Sequence, residues 1–471
     1  MKGFLMEINF KTIYAVSLFF ILILLFPGSY SHGGEKRILS IDDAVAIAMS
    51  ENFDIKAAKS RIEASRAAIK EAESAFFPAV SLKESFLRTN NPPLAFFNIL
   101  SQRQLKIKMP STASPSSNPF SSFNEPDPVN NWSTKFSVEF PLFTGGKRIA
   151  EKKAADSMAE ADEADLERVR NDIAYEIKST FLNILKAEEM VKVSEEYIKM
   201  LRSQGEVAES KYEAGKVLLS DVLSVKVRLA EAEEGLLIAR NNVGKAKNLF
   251  NVALGQNISQ EVELKPAAIS DTVSFLKVDT ANRLGSLKET ALKKRPEVKK
   301  IEEEIKSSEY NVKSAIAEYF PTIGTFFNYE IDGKNPEVGR TSWIAGAGLE
   351  FYLFEGFKTS SRVGKRKAEV SEMSAKKRKL MLEIEREVDD AYNNKIEAEK
   401  RLDVLKDSVS QAEENLRIYE DRYKEGLVII SDVLSAQVSL TNTRLRYKIA
   451  KYDNEIALKE LEYACGGTLL E

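Results

Sequence analysis

One cysteine and one histidine are all that 471 residues contain of the two commonest soft metal ligands. Cys465 has no partner for an internal disulfide, and no ordinary zinc, haem or iron–sulfur site can be built from one Cys and one His. A histidine-based triad would have to recruit His32 from the N-terminal region. Glycine (22) and proline (14) are scarce, and tryptophan occurs only twice. Neither sign of charge is in excess: 68 basic against 71 acidic residues gives a net charge of −3. That excludes the basic stripe a nucleic-acid partner would need. What is abundant is Ala, Glu, Lys, Leu and Arg in long runs without breakers, the composition of extended helices.

The N-terminus has a different logic. Lys2 and Lys11 flank the approach to an apolar run at 13–26, closed by Pro27, Gly28 and then Ser29-Tyr30-Ser31. A basic segment, an apolar core and a small-x-small site predict a secretory signal peptide over 1–31. The run of about 14 residues is short against the ~20 that a spanning helix requires. An uncleaved anchor is the alternative. No cysteine stands at the end of the run, which excludes a lipoprotein anchor.

The rest of the chain is written twice. KYEAGKVLLSDVLSVKVRL, beginning at Lys211, returns as RYKEGLVIISDVLSAQVSL, beginning at Arg422, at an offset of 211. The same offset pairs Trp132 with Trp343, Gly145 with Gly356 and Gly255 with Gly466. Upstream the offset becomes 243 and pairs Phe77-Pro78 with Phe320-Pro321, and Asn52 with Arg295. The extra residues of the first copy fall in a Pro-, Ser- and Asn-rich stretch at 90–131, predicted to be a surface loop. The resulting organisation is a first copy at 32–255, a linker at 256–285 without sustained periodicity, and a second copy at 286–471.

Each copy predicts helix, strand, strand, long helix, helix. Neither 147–204 nor 365–425 contains Gly or Pro. Helices of roughly 60 residues, at 1.5 Å per residue, run to about 90 Å, too long for a compact globule. After Asp221 the apolar positions Val222, Val225, Leu229, Ala232, Leu236, Ala239, Val243, Ala246, Phe250 and Ala253 alternate spacings of three and four, a coiled-coil seam. The strands alternate instead. Trp132, Thr134, Phe136, Val138, Phe140 and Leu142 share one face, against Ser133, Lys135, Ser137 and Glu139 on the other. Trp343, Ala345, Ala347, Leu349, Phe351 and Leu353 repeat the pattern. Period two over about ten residues, with aromatics at the ends, fits a membrane-barrel strand, and a half-buried soluble hairpin is its alternative. Trp132, Trp343, Phe143 and Phe354 are the expected interfacial girdle. Four strands cannot close in lipid, where every unpaired backbone group costs several kcal/mol. Two chains would give eight strands with a nearly filled interior, and three give twelve with room for a channel.

The segments FFPAV and YFPTI, FPLFTGGK and FYLFEGFK, and the doubled G-x₄-S-D-V-L-S at Gly215 and Gly426 resemble the TolC family of outer-membrane efflux proteins. The insertion NNPPLAFFNILSQRQL resembles the external loop of some relatives. The resemblance covers essentially the whole chain after residue 31. It implies a mainly α protein with a transmembrane β part: a homotrimer with a 12-stranded barrel in the outer-membrane lipid, continued by an α-helical barrel across the periplasm. It further implies docking through a periplasmic adaptor (membrane fusion) protein onto an inner-membrane pump of RND or ABC type, with no cofactor. It places Asp221 and Asp432 near the periplasmic constriction, with Ser220, Ser431, Ser224 and Ser435. Gly215, Gly426, Tyr212 and Tyr423 would lie at the adaptor-facing tips, and Pro78, Pro321, Gly145 and Gly356 at helix–strand junctions. Some relatives carry an acid where Ser435 stands and a base where Val428 stands. For Ser220-Asp221 and Ser431-Asp432 the residues alone favour helix N-caps. A soluble periplasmic coiled-coil scaffold and an exported carboxylate enzyme remain as alternatives at this point.

Overall fold

The computed structural model of the chain describes residues 38–106, 124–266 and 280–467. The expected signal segment and His32 lie outside them. The first copy consists of β1 (Ile38–Leu39), α1 (Ile41–Glu51), α2 (Phe53–Ser74), β2 (Ala79–Thr89), α3 (Pro92–Ser101), β3 (Val129–Thr144), α4 (Lys147–Glu213) and α5 (Leu219–Leu254). The second follows β4 (Glu263–Leu264), with α6 (Thr280–Lys294), α7 (Pro296–Ala317), β5 (Thr322–Asn335), β6 (Val338–Glu350), α8 (Lys358–Lys424) and α9 (Ile430–Ala464).

The two long helices are each 67 residues, about 100 Å at the usual rise. They run from the sheet to the far tips. Near the sheet α2 and α7 pack on them; in the distal half α5 and α9 do. The short helices stack end to end. The Asn52 amide donates to the Ala253 carbonyl at 2.8 Å, joining the end of α5 to the α1–α2 break. Gly255, at φ +74°, lies so close to Glu51 that a Cβ there would sit 2.6 Å from its carbonyl oxygen. Gly466, at φ +81°, is approached less closely, a Cβ there lying 3.1 Å from Lys294 and 3.2 Å from Arg295. The left-handed backbone accounts for glycine at both positions, and the close approach reinforces it at Gly255.

Several expectations need correcting. One helix before each hairpin was expected, and each copy has two. Asn52 ends α1 and caps α2, its side-chain oxygen accepting from the amides of Asp54 and Ile55. At the equivalent place Pro296 starts α7, where it lacks no needed hydrogen bond. The stretch at 90–131 is not all loop, because Asn91 caps α3 and Pro92-Pro93 occupy its first positions. The linker at 256–285 contributes β4, which pairs in parallel with β1, and helix α6 already starts at Thr280. The seam on α5 is as expected: all ten of its positions are buried or half-buried.

One ionic cluster clamps three helices of the near half together. Asp165 of α4 is buried and accepts from Arg61 of α2 at 2.8 Å, Arg168 at 2.8 Å and Lys300 of α7 at 3.0 Å. Burial alone would raise its carboxyl pKa, but the hydrogen bonds and charges of Arg168 and Lys300 outweigh it and hold the group below the usual carboxylate range. A group depressed in the folded state contributes stability that is complete above its unfolded pKa and is lost as pH falls through the folded one. Asp165→Asn is therefore expected to cost about 3 kcal/mol at neutral pH. It should also flatten the acid limb of a denaturant-midpoint-versus-pH curve below about pH 4. An unchanged acid limb would remove Asp165 from the clamp.

Candidate entrance and membrane belt

The four long strands form one sheet in the order β2-β3-β5-β6, all antiparallel, with β2 and β6 at free edges. Register aligns the side chains in rows. Leu82, Phe136, Tyr329 and Trp343 form one row, and Val80, Val138, Phe327 and Ala345 the next. On the opposite face Lys83, Lys135, Glu330 and Ser342 align, beside Ser85, Ser133, Asp332 and Arg340. On the two central strands the polar face is the more covered one. Ser133 and Ser137 are buried, the Ser133 hydroxyl donates to Glu330 at 2.6 Å, and the Asn131 amide donates to Asp332 at 2.8 Å. The apolar face is the more open: on the same strands Phe136 is 37% exposed, Phe327 38% and Tyr329 37%, and on the edge strands Leu82 reaches 73% and Trp343 71%. A soluble hairpin buries its apolar side, so this sheet is inside-out for water and correct for lipid.

The girdle residues differ in their surroundings. Trp132 packs on Phe86, ring centroids 4.8 Å apart, while Trp343 stands free. A bulge lies between Pro141 and Phe143, so Leu142 leaves the apolar register in which it was expected and Phe143 takes it, opposite Ile323. The imino nitrogen of Pro141 cannot donate to the ladder, which favours an irregularity there. Strand β6 stops at Glu350, short of the expected Phe351 and Leu353. Phe354 stacks edge-on against Phe357 at 5.6 Å.

At the junctions Pro78 and Pro321 each sit just ahead of a strand. Gly145 has φ +64°, and a Cβ there would lie 2.4 Å from the carbonyl oxygen of Ala317 in the second copy. Gly356 has φ +62° but open space around it. Arg148 ties the junction together by donating to the carbonyls of Ala75 at 2.9 Å and Leu142 at 3.2 Å, over the Phe76 ring. Sequence reasoning did not single it out, and the second copy has no arginine at the equivalent place.

At the distal ends Gly215 (φ +71°) and Gly426 (φ +76°) end the long helices in Schellman turns. Lys216 and Leu427 donate their amides back to the carbonyls of Lys211 and Arg422, each at 2.9 Å or less. Ser220 and Ser431 are not the N-caps they were expected to be. Leu218 and Ile429 occupy that position, so the serines fall one residue inside the helix. The aspartates do the capping: Asp221 and Asp432 accept from the amides of Leu218 and Ile429, both at 3.3 Å. Ser224 and Ser435 donate to carbonyls one turn back, those of Ser220 and Ser431. The two tips are bound to each other through buried Val222, Val225, Leu416, Ile430, Val433 and Leu434. Lys211 sits 4.6 Å over the Tyr423 ring, whose phenol is pushed up by burial and by the Asp221 charge. Tyr212 points outward, half exposed. Among the described residues no cluster of His, Cys, Asp or Glu has the makings of a metal site, and no helix is long and apolar enough to span a membrane.

A family of outer membrane efflux proteins matches residues 45–256 and 287–467, one segment in each copy. The chain belongs to the outer membrane efflux protein family. Nodulation protein T of Rhizobium leguminosarum bv. trifolii is 22% identical over 406 residues, 84% of this chain and 79% of that protein. The crystal structure of CusC superposes with a TM-score of 0.74 at 16% identity, covering 91% of this chain and 92% of that one. VceC of Vibrio cholerae gives 0.72 at 18%, covering 91% and 96%. This efflux protein is an outer-membrane channel subunit, a transport conduit and not an enzyme. Its strands belong in the outer membrane and its helices in the periplasm, which sets aside the soluble scaffold.

Proposed function

We propose that three copies of this chain close into one duct, entered at the helix tips and leaving through the β-barrel. A periplasmic adaptor would dock at Gly215, Gly426, Tyr212 and Tyr423 and connect the duct to an inner-membrane pump of RND or ABC type. Trp132, Trp343, Phe143 and Phe354 would mark the lipid–water boundaries. The observation that carries this reading is the sheet: four strands, two free edges and an apolar side turned outward. Such edges are not tolerated in hydrocarbon.

Internal duplication supplies the missing contact. Strand β3 of the first copy pairs with β5 of the second, Phe136 opposite Tyr329 and Glu139 opposite Phe326. Shifting these pairs by 211 and 243 residues puts Ala347 of β6 opposite Phe86 of β2 in the next chain, and Glu350 opposite Lys83. Apolar then meets apolar on the lipid side, and acid meets base on the polar side. Phe351 falls opposite Leu82, so β6 would lengthen on assembly to the span expected from its alternation. Oxidation of a Lys83→Cys/Glu350→Cys protein in a Cys465→Ser background should give a covalent ladder ending at three chains. Monomer only, or a ladder ending at two, would overturn the arrangement.

The tip aspartates would form rings of charge at the entrance. Asp221→Ala/Asp432→Ala is expected to lose about 0.5–1 kcal/mol of helix capping per tip. In single-channel recordings its cation preference should fall. Unchanged conductance and selectivity would leave the two aspartates with a capping role alone.

A further inference from the structure

Helix α3 is built the wrong way round for a helix in water. Its contact side carries Ala95, fully buried, and one residue past its end Gln102, also buried. Its free side carries Leu94, Phe97 and Leu100, 48%, 60% and 47% exposed. These three recur at the spacing of one helical face. The contact side is held by a polar relay. The Gln102 amide donates to the Asn130 carbonyl at 2.7 Å and to the Asn131 side-chain oxygen at 2.8 Å, and Asn131 donates in turn to Asp332 at 2.8 Å. Arg103, at φ +53°, then reaches the Thr341 carbonyl at 3.2 Å. The attachment thus crosses β3, β5 and β6. Asn131 and Asp332 belong to the polar face, with Ser133 and Glu330. Helix α3 is therefore fastened to the side of the sheet that faces away from lipid, at the end remote from the long helices.

We infer that the apolar face of α3 is covered by the same face of two other copies, forming a collar across the outward mouth of the channel. This rests on the three-chain reading. Lipid cannot reach α3, because the wall it sits on separates it from the apolar face of the sheet. Water alone would leave three large side chains solvated on a helix anchored by three polar contacts just past its end. Size favours the remaining occupant. Twelve strands spaced ~4.8 Å apart and tilted ~40–45° enclose a bore about 25 Å across. Each helix with its side chains takes ~10 Å from the wall, so three of them nearly meet. Leu94, Phe97 and Leu100 would then narrow the exit to a dewetting constriction, which departing cargo must part and outside solutes must breach.

Two measurements on the assembled protein test this, both in the Cys465→Ser background. Phe97→Cys should cross-link between copies under mild oxidation. Separately, Ser81→Cys, on the polar face below the collar, should react from outside with a small maleimide but not with a polymer-linked maleimide wider than the residual bore. Leu94→Ser/Phe97→Ser/Leu100→Ser, or Gln102→Ala, should admit the wide reagent at least about tenfold faster, as expected of a hydrophobic constriction made polar or unpinned. Equal reaction of both reagents with Ser81→Cys alone, or absence of the Phe97 cross-link, overturns the collar. The Lys83–Glu350 ladder reports the three-chain closure separately, so failure of the collar and failure of the assembly are distinguishable. If a serine variant does not assemble, the Phe97 cross-link still decides.

Discussion

Gly145→Ala is expected to prevent the chain from folding, while Gly356→Ala, its counterpart in the second copy, leaves the chain folded. At Gly145 the added methyl would lie 2.4 Å from the Ala317 carbonyl oxygen and 2.8 Å from Phe320 Cβ, backbone and stem atoms that cannot yield. The left-handed conformation adds about 1–2 kcal/mol for any residue with a Cβ. Together with the steric conflict the cost is about 3 kcal/mol or more, large against the marginal stability of most proteins. At Gly356 the conformational cost remains but the space is open. The repeat offsets place the segment at 74–77 of a neighbouring chain against Gly356, so its alanine should act later, at assembly. Circular dichroism and sedimentation separate the two: loss of helix for Gly145→Ala, retained helix with loss of oligomer for Gly356→Ala. Equal behaviour of the two would argue against the neighbour that the duplication implies.

Phe136→Arg should be the most damaging single change on the sheet. Phe136 sits mid-strand in the row with Leu82, Tyr329 and Trp343, on the apolar face. An arginine at the bilayer midplane costs about 2–4 kcal/mol, falling to about 0–1 near the interfaces. Three chains would carry it three times over. Lys135→Arg, one residue away on the polar face, should be neutral. The measurement is the fraction of protein recovered in the outer-membrane fraction and its resistance to proteolysis there. If Phe136→Arg inserts as well as Lys135→Arg, the apolar face does not meet lipid.

Much of this fold could be read from the residues because it is repeated and periodic. The seam from Val222 to Ala253, the absence of breakers in the long helices and the alternation from Trp132 onward each report a single geometry over many residues, and duplication doubles every signal. What was missed depends on single contacts. The breaks at Asn52 and Arg295 have only local marks, an Asn cap and a following proline, because the helix ends that dock there lie about 200 and 170 residues away in sequence. Ser220 and Ser431 look like caps, yet the Schellman glycines set the turn length and the aspartates take the role one residue later. Helix α3 escaped notice because its ten residues begin on two prolines, are apolar nearly throughout and sit in a Pro-, Ser- and Asn-rich stretch, leaving no amphipathic period to read. Around the candidate site, Arg148 and the Lys211–Tyr423 contact have no signature short of the folded structure.

The glycine joints at Gly255 and Gly466 have a mechanical consequence. Each helix ending there is an unbroken rod of 36 or 35 residues, a lever arm of about 54 Å. A swing of roughly 10° about such a pivot carries the far end about 9 Å sideways at that rise per residue. The long helices are packed against the rods and joined to them at Gly215 and Gly426, so rod and long helix must move together at the tips. Any small angular change at these joints would thus be felt most at the tips, the end of the long helices opposite the sheet.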